Sequence, residues 1–131
     1  MEKNMKILIV EDEANLLNLL KDEFTEEGFQ VFTAKDGEEG FNQAVANKPD
    51  LILIDVLLPK MDGITMFKKL SQKEEFKKIP GIILTNLSDN VTLSNAMESG
   101  VYDFFVKSDW EPKNLVNQVK QRISSIRQTA S

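Results

Sequence analysis

The sequence predicts an α/β domain of the doubly wound kind: five strand–helix units, (βα)5, arranged as a parallel sheet between two layers of helices, three layers in all. Three observations predict it. Short apolar runs alternate with longer stretches of helical periodicity along the chain. The runs "MKILIV", "DLILID" and "GIILT" lack polar alternation, as strands buried on both faces do. A chain of 131 residues with 41% hydrophobic content can also bury a single core without cross-links.

Each element has its own signal. "MKILIV" (5–10) is β-branched and too short for a helix, so it reads as a buried strand. From Asp12 to Glu27, Leu16, Leu17, Leu20 and Phe24 recur at helical spacing, and Gly28 ends the helix. "QVFTA" (30–34) is the second strand. Residues 36–47 form a short helix with Phe41, Ala44 and Val45 on one face. "DLILID" (50–55), entered through Pro49, is the third strand, and 62–72 the third helix, with Asp62 as its cap. "KEEFKK" reads as a solvated polar loop. "GIILT" (81–85) is the fourth strand; 88–99 is the fourth helix, capped by Ser88 and ended by Gly100. "YDFFV" (102–106) is the fifth strand. Leu115, Val119, Ile123 and Ile126 mark a last helix from Pro112 to about Arg127, preceded by "SDWE", which has the spacing of a capping box. The tail "RQTAS" is expected to fray. Crossovers should be right-handed. No repeat, linker or second domain is visible.

Composition removes several functions. There is no Cys, so no disulfide framework and no thiolate metal site, and a cytosolic setting is the simplest reading. There is no His, so no His base, His metal ligand or phosphohistidine resides on this chain. No apolar run is long enough to span a membrane, and "MEKNMK" has no signal-peptide character. A net charge of −5 and a pI near 4.8 argue against nonspecific nucleic-acid binding.

Sheets of this kind bind ligands beyond the carboxyl ends of their strands. Glu11 and Asp12 follow the first strand, Asp55 ends the third, Thr85 ends the fourth, and Lys107 follows the fifth. Three acids, a hydroxyl and an amine therefore share one edge. The acids carry −3 and Lys107 +1, leaving −2, which one Mg²⁺ would balance through oxygen ligands. Asp12 and Asp55 would bind directly, Glu11 directly or through water. Asp55, in the centre of the sheet, is a candidate nucleophile able to form an aspartyl phosphate. Cations and donors around it would offset the spread charge of a phosphoryl group.

Residues 5 to 127 resemble the response-regulator receiver domains of two-component signalling, of the chemotaxis-regulator type. The likeness rests on "ILIVEDE", "LILIDVLLPKMDG", "IILT" and "GVYDFFVK", in order and at matching spacing. It implies a flavodoxin-like sheet of order 2-1-3-4-5. It implies that Asp55 accepts a phosphoryl group from a sensor histidine kinase or a phosphotransfer protein. Mg²⁺, with Mn²⁺ as a substitute, would sit on Glu11, Asp12, Asp55 and the backbone carbonyl of Leu57. Thr85 and Lys107 would sense the phosphate, and Phe104 would be the switch aromatic. The face made by the fourth predicted helix, the fifth strand and the last helix would change its affinity for a downstream protein partner. The chain reads as one receiver domain over 1–131 with no output domain after the last helix, either a stand-alone regulator or a fragment. The missing Cys makes the cytoplasm the simplest setting, and the resemblance allows a monomer or weak dimer. It would touch neither nucleic acid nor membrane, and would be no enzyme beyond Mg-dependent self-phosphorylation and slow self-dephosphorylation.

Three positions depart from the family pattern. Ser108 stands where a Pro usually follows the Lys through a cis bond; a cis bond to Ser would cost about 2.5–4 kcal/mol, so either strain is stored there or the bond is trans. Asn86 stands where a small residue usually follows the Thr. Trp110 lies in a loop one residue longer than common.

Three other functions compete. A flavin or nucleotide carrier wants a Gly/Ser/Thr-rich phosphate loop after the first strand, where this chain has "EDE". An Asp-nucleophile phosphatase wants a second Asp where Leu57 stands. A degenerate receiver, acting as a constitutive interaction module, rests only on Ser108 and Asn86. Single residues also have structural readings: the acids after the first strand as helix N-terminal charges, Phe104 as plain core, Asp62 and Gly63 as turn and cap.

Overall fold

The computed structural model describes residues 5–86, 94–95, 97–98, 100–101 and 103–129, with side chains through Ile126. Five strands run Lys6–Val10 (β1), Gln30–Ala34 (β2), Leu51–Asp55 (β3), Gly81–Thr85 (β4) and Asp103–Val106 (β5). All pair in parallel, in the order β2-β1-β3-β4-β5. Helices Ala14–Glu26 (α1), Gly37–Asn47 (α2), Gly63–Ser71 (α3) and Pro112–Thr129 (α4) connect and flank them.

Alternation along the strands divides the core in two. Ile7, Ile9, Leu51, Leu53, Ile82, Leu84 and Phe105 point to one face, where α1 and α4 cover them. Leu8, Val10, Ile52, Ile54 and Ile83 point to the other, under α2 and α3. Because β1, β3 and β4 are buried on both sides, their sequences had to be continuously apolar, and the layering read from the sequence is the layering observed.

The helix boundaries have local causes. Gly28 adopts a left-handed φ of 95°, and its N–H bonds to Thr25 O while Phe29 N–H bonds to Phe24 O. This paired closure ends α1, and the Phe24 and Phe29 rings meet edge to face at 5.4 Å as its apolar clasp. Asp36 caps α2 by accepting from Glu39 N–H at 2.7 Å, while Glu39 accepts from Lys35 N–H at 2.7 Å. Asp62 caps α3 by accepting from Thr65 N–H at 2.9 Å, as its position predicted.

Several expectations are corrected. The α1 helix begins at Ala14, two residues later than expected, because Glu11, Asp12 and Glu13 form the turn out of β1. "KEEFKK" is not wholly solvated: Glu74–Phe76 form a 3₁₀ turn that buries Phe76 to 3% exposure. "SDWE" is not a capping box. Pro112 opens α4, where its missing N–H costs nothing, and Ser108 lies in a 3₁₀ turn, Lys107–Asp109, upstream of the helix. The α4 helix runs two residues past Arg127, to Thr129.

Of the fourth predicted helix, residues 94–95 and 97–98 are helical, and Gly100 closes it with φ 92°. Its cap Ser88, together with Tyr102 and the last two residues of the tail, lies outside the described residues. Among the described residues no helix is long and apolar enough to cross a membrane.

Candidate functional site

The site is built by strand ends. In the register of the sheet, Val10 stands beside Ile54, and Asp55 beside Leu84. Glu11, one residue beyond β1, and Asp55, the last of β3, therefore leave adjacent strands at one level. Thr85, one step past Leu84, pairs with Val106, and Lys107 follows directly. Parallel pairing alone brings these residues, separated by up to 96 positions, to a single edge.

The β3–α3 loop is pinned against that edge. Gly63 N–H bonds to Val56 O at 2.9 Å, and a Cβ on Gly63 would stand 2.0 Å from Asp55 O. Only glycine allows this approach. The backbone N–H of Leu57 donates to the Asp55 carboxylate, whereas the Leu57 side chain is 58% exposed.

The polar residues of this edge are buried to an unusual degree. Glu11 is 1% exposed, Asp55 6%, Thr85 0% and Lys107 9%; they are the buried polar and charged residues of the described chain. Carboxylate oxygens of Glu11, Asp12 and Asp55 all lie within 4.8 Å of one another, with Asp12 at the solvent side. Lys107 Nζ donates to Asp55 Oδ2 at 3.0 Å. It stands 2.6 Å from Glu11 Oε2, an ion pair without hydrogen-bond angles that leaves this fully buried oxygen otherwise unpartnered. Glu13 Oε1 is 3.9 Å away. Glu11 Oε1 accepts from Glu13 N–H at 3.0 Å, so Glu11 serves both the turn and the cluster.

These contacts set the proton affinities. Burial raises Glu11 to about 7, with Lys107 pulling down and the Asp55 charge pushing up. Burial raises Asp55 as well, against Lys107 and the Leu57 N–H. Burial works against the Lys107 ammonium, but Glu11 and Asp55 outweigh it and hold its pKa above the ordinary lysine value. Three carboxylates facing one ammonium leave a negative surplus that hard cations satisfy, and the donor set is all oxygen. The residues fit a divalent ion such as Mg²⁺.

The remaining positions are also placed. Thr85 and Phe104 share a sheet face, since Phe104 is in register with Ile83, two residues before Thr85. Phe104 is half-buried against the α2–α3 side of the core. The Lys107–Ser108 bond is trans, and Lys107 still reaches the acids because it opens the 3₁₀ turn that follows β5. Asn86 is exposed. Trp110 meets the Phe105 ring edge to face at 6.3 Å, and Arg122 lies over the same ring at 5.5 Å. A cavity of about 330 Å³ beside Lys107 is bounded by Glu13, Asn86, Ser108 and Trp110. Sequence reasoning missed Glu13 as a partner of Lys107. Its place in "EDE" was the signal, but a helix-start acid explained it without reference to a residue 94 positions away.

Comparison with known proteins gives a consistent answer. The response regulator receiver domain family matches residues 7–120. The alkaline phosphatase synthesis transcriptional regulatory protein PhoP of Bacillus subtilis is 38% identical over 117 residues, 89% of this chain and 48% of that protein. The chain spans about half the length of the curated relatives it matches. Among solved structures, the receiver domain of a signal transduction histidine kinase from Syntrophus aciditrophicus is 34% identical. It covers 93% of this chain and 92% of that one, at a TM-score of 0.78. The CheX–CheY–BeF3–Mg complex from Borrelia burgdorferi is 29% identical, covers 93% and 88%, and has a TM-score of 0.80.

Proposed function

The chain belongs to the response regulator receiver domain family of two-component signalling, and on that premise we propose that it is a phosphoacceptor switch centred on Asp55. An Asp55 carboxylate oxygen attacks the phosphorus of a partner's phosphohistidine. An O–P bond forms, the N–P bond breaks, and the imidazole leaves with a proton. The phosphohistidine is the partner's, because this chain has no His. The partner is a sensor histidine kinase or a phosphotransfer protein.

The observation that carries this reading is the hydrogen bond of Lys107 Nζ to Asp55 Oδ2, 3.0 Å long, within a cluster of three acids of which Glu11 and Asp55 are buried and Asp12 faces solvent. A structural ion pair needs one acid per lysine; three acids leave a deficit of positive charge that a proton on Glu11 or an incoming cation relieves, and the cation does so at the pH where Glu11 ionises. Glu11, Asp12, Asp55 and the carbonyl of Leu57 would hold Mg²⁺, with Mn²⁺ an alternative. When bound, that ion supplies positive charge to the phosphoryl oxygens. The chain's own residues do the rest. The Leu57 N–H orients the Asp55 carboxylate, Lys107 donates to one phosphoryl oxygen, and the Thr85 hydroxyl to another. Burial of Glu11, Thr85 and Lys107 keeps water from the acyl phosphate.

Drawing Thr85 towards the phosphoryl group frees space on its sheet face, which Phe104 fills by turning inward. The surface around β5 and α4 then changes its affinity for a downstream protein. The receiver domain is proposed to occupy residues 5–127, inside the cell with its kinase. A net charge of −5 favours protein partners over nucleic acid for these residues, although PhoP of B. subtilis is by name a transcriptional regulator.

The test is intact mass after incubation with a small-molecule phosphodonor, with and without Mg²⁺, on wild type and Asp55→Asn. One phosphoryl group that needs both Mg²⁺ and Asp55 is the expected result. No adduct from the donor or from a histidine kinase, together with no Mg²⁺ binding, would leave a constitutive interaction module as the function.

A further inference from the structure

We infer that Glu13 is a positioning residue for Lys107, the seat to which its ammonium withdraws when a divalent cation enters the acid cluster. This rests on the cation reading above and goes beyond it, since Glu13 is neither a ligand nor a phosphoryl contact in that reading.

The argument starts from a conflict of charge. Lys107 Nζ stands 2.6 Å from Glu11 Oε2 and 3.0 Å from Asp55 Oδ2. These acids supply two of the three carboxylates clustered within 4.8 Å. The ammonium therefore occupies the side of the cluster where a divalent ion would be drawn. Two cations sharing the same buried oxygens repel strongly in a site of low polarity. One must yield, and the tethered ammonium is the one that can swing.

A second seat lies within reach. The carboxylate of Glu13, 60% exposed, is 3.9 Å from Nζ. Glu13 flanks α1 at its cap position, yet its side chain makes no capping hydrogen bond, so helix formation does not engage it. Its backbone is tied instead to Glu11 through the 3.0 Å bond from Glu13 N–H, which fixes it beside the cluster. Lys107 and Glu13 also bound the same cavity of about 330 Å³. A lysine leaving Glu11 without such a seat would be left half-buried and unpaired, and that penalty would oppose cation binding.

The test is a double-mutant cycle on Mg²⁺ affinity, measured by calorimetry on the full chain for wild type, Glu13→Gln, Lys107→Met and the double variant. Glu13→Gln should weaken Mg²⁺ binding about two- to fivefold in the wild-type background, the scale of a solvent-exposed ion pair. In the Lys107→Met background the same change should have less than half that effect, because the group to be seated is gone. An equal effect in both backgrounds would reduce Glu13 to a distant negative charge and overturn the inference while leaving the cation site intact. No Mg²⁺ binding by wild type would instead remove the cation reading itself, and the inference with it. A second measurement does not need Lys107→Met to fold. Trp110, the single tryptophan, bounds the same cavity. Saturating Mg²⁺ should change its emission in wild type and not in Glu13→Gln; the same change in both would overturn the inference.

Discussion

Lys107 Nζ lies closer to Glu11, at 2.6 Å, than to Asp55, at 3.0 Å. The ammonium thus leans towards the acid that follows β1 rather than the central acid that ends β3. Glu11 is also the more deeply buried, and burial holds its pKa near 7. The consequences of that pairing for stability, cation binding and pH response are separable by experiment.

In metal-free buffer, stability should fall as pH rises from about 5 to 7. The folded state keeps a proton on Glu11 up to about pH 7, whereas the unfolded chain loses it near 4.5, so the native state binds more protons in that window. The sign of the linkage is then negative with pH, and the loss is on the order of 1–3 kcal/mol. Urea unfolding in EDTA across this range measures it. Glu11→Gln, which cannot ionise, should flatten the slope; an equally steep slope in that variant would place its origin elsewhere.

Replacing Lys107 with Met should destabilise the metal-free protein at pH 7.5 by about 3–5 kcal/mol, the cost of leaving buried acids without their counter-charge. Mg²⁺ should restore more stability to this variant than to wild type, because the site has lost its internal competitor. Melting temperatures with and without Mg²⁺ decide it. A Mg²⁺ response no larger than that of wild type would mean that Lys107 does not compete for the acid oxygens.

Gly63→Ala should be among the costly single substitutions. The new Cβ would meet Asp55 O at 2.0 Å and Ile54 Cγ2 at 2.5 Å, both in the fully buried central strand of the sheet. The loop must move, at about 1–3 kcal/mol or more. Because the contact is with the backbone of Asp55 itself, phosphoryl uptake should fall along with stability. Unfolding free energy and the phosphorylation rate, measured on the same preparation, check both; a variant as stable as wild type would show that the loop relaxes freely.

What could be read beforehand followed from how parallel sheets encode themselves. Ile7–Val10, Leu51–Ile54 and Ile82–Leu84 are buried on both faces, so their sequences admit no polar residue, and the first polar residue after each run (Glu11, Asp55 or Thr85) marks a strand end. Glu11, Asp55 and Lys107 were placed together on that logic. What escaped reading depended on contacts with no period. Phe76 is a lone aromatic between lysines and glutamates, and only the fold of the 3₁₀ turn buries it. Ser108 and Glu111 had the spacing of a cap, but Pro112 decided where the helix began. The Glu13–Lys107 proximity joins a helix start to a loop after the last strand, which no local pattern announces.

The loop "DVLLPKMDG" carries two acids, and they should separate cleanly. Asp62 accepts from Thr65 N–H at 2.9 Å and from Thr65 Oγ1 at 2.7 Å, away from the buried cluster and exposed to solvent. Asp62→Ala removes the cap of α3 and should cost about 1 kcal/mol. Asp62→Asn or Asp62→Ser, which also accept from a backbone N–H, should recover most of that loss. Phosphoryl uptake per folded molecule should match wild type in all three variants, whereas Asp55→Asn should abolish it. Chemical denaturation and intact mass on wild type and these four variants test this division. Loss of uptake in a well-folded Asp62 variant would mean that the second acid reaches the phosphoryl group, and that the loop closes over the site more tightly than its cap geometry implies.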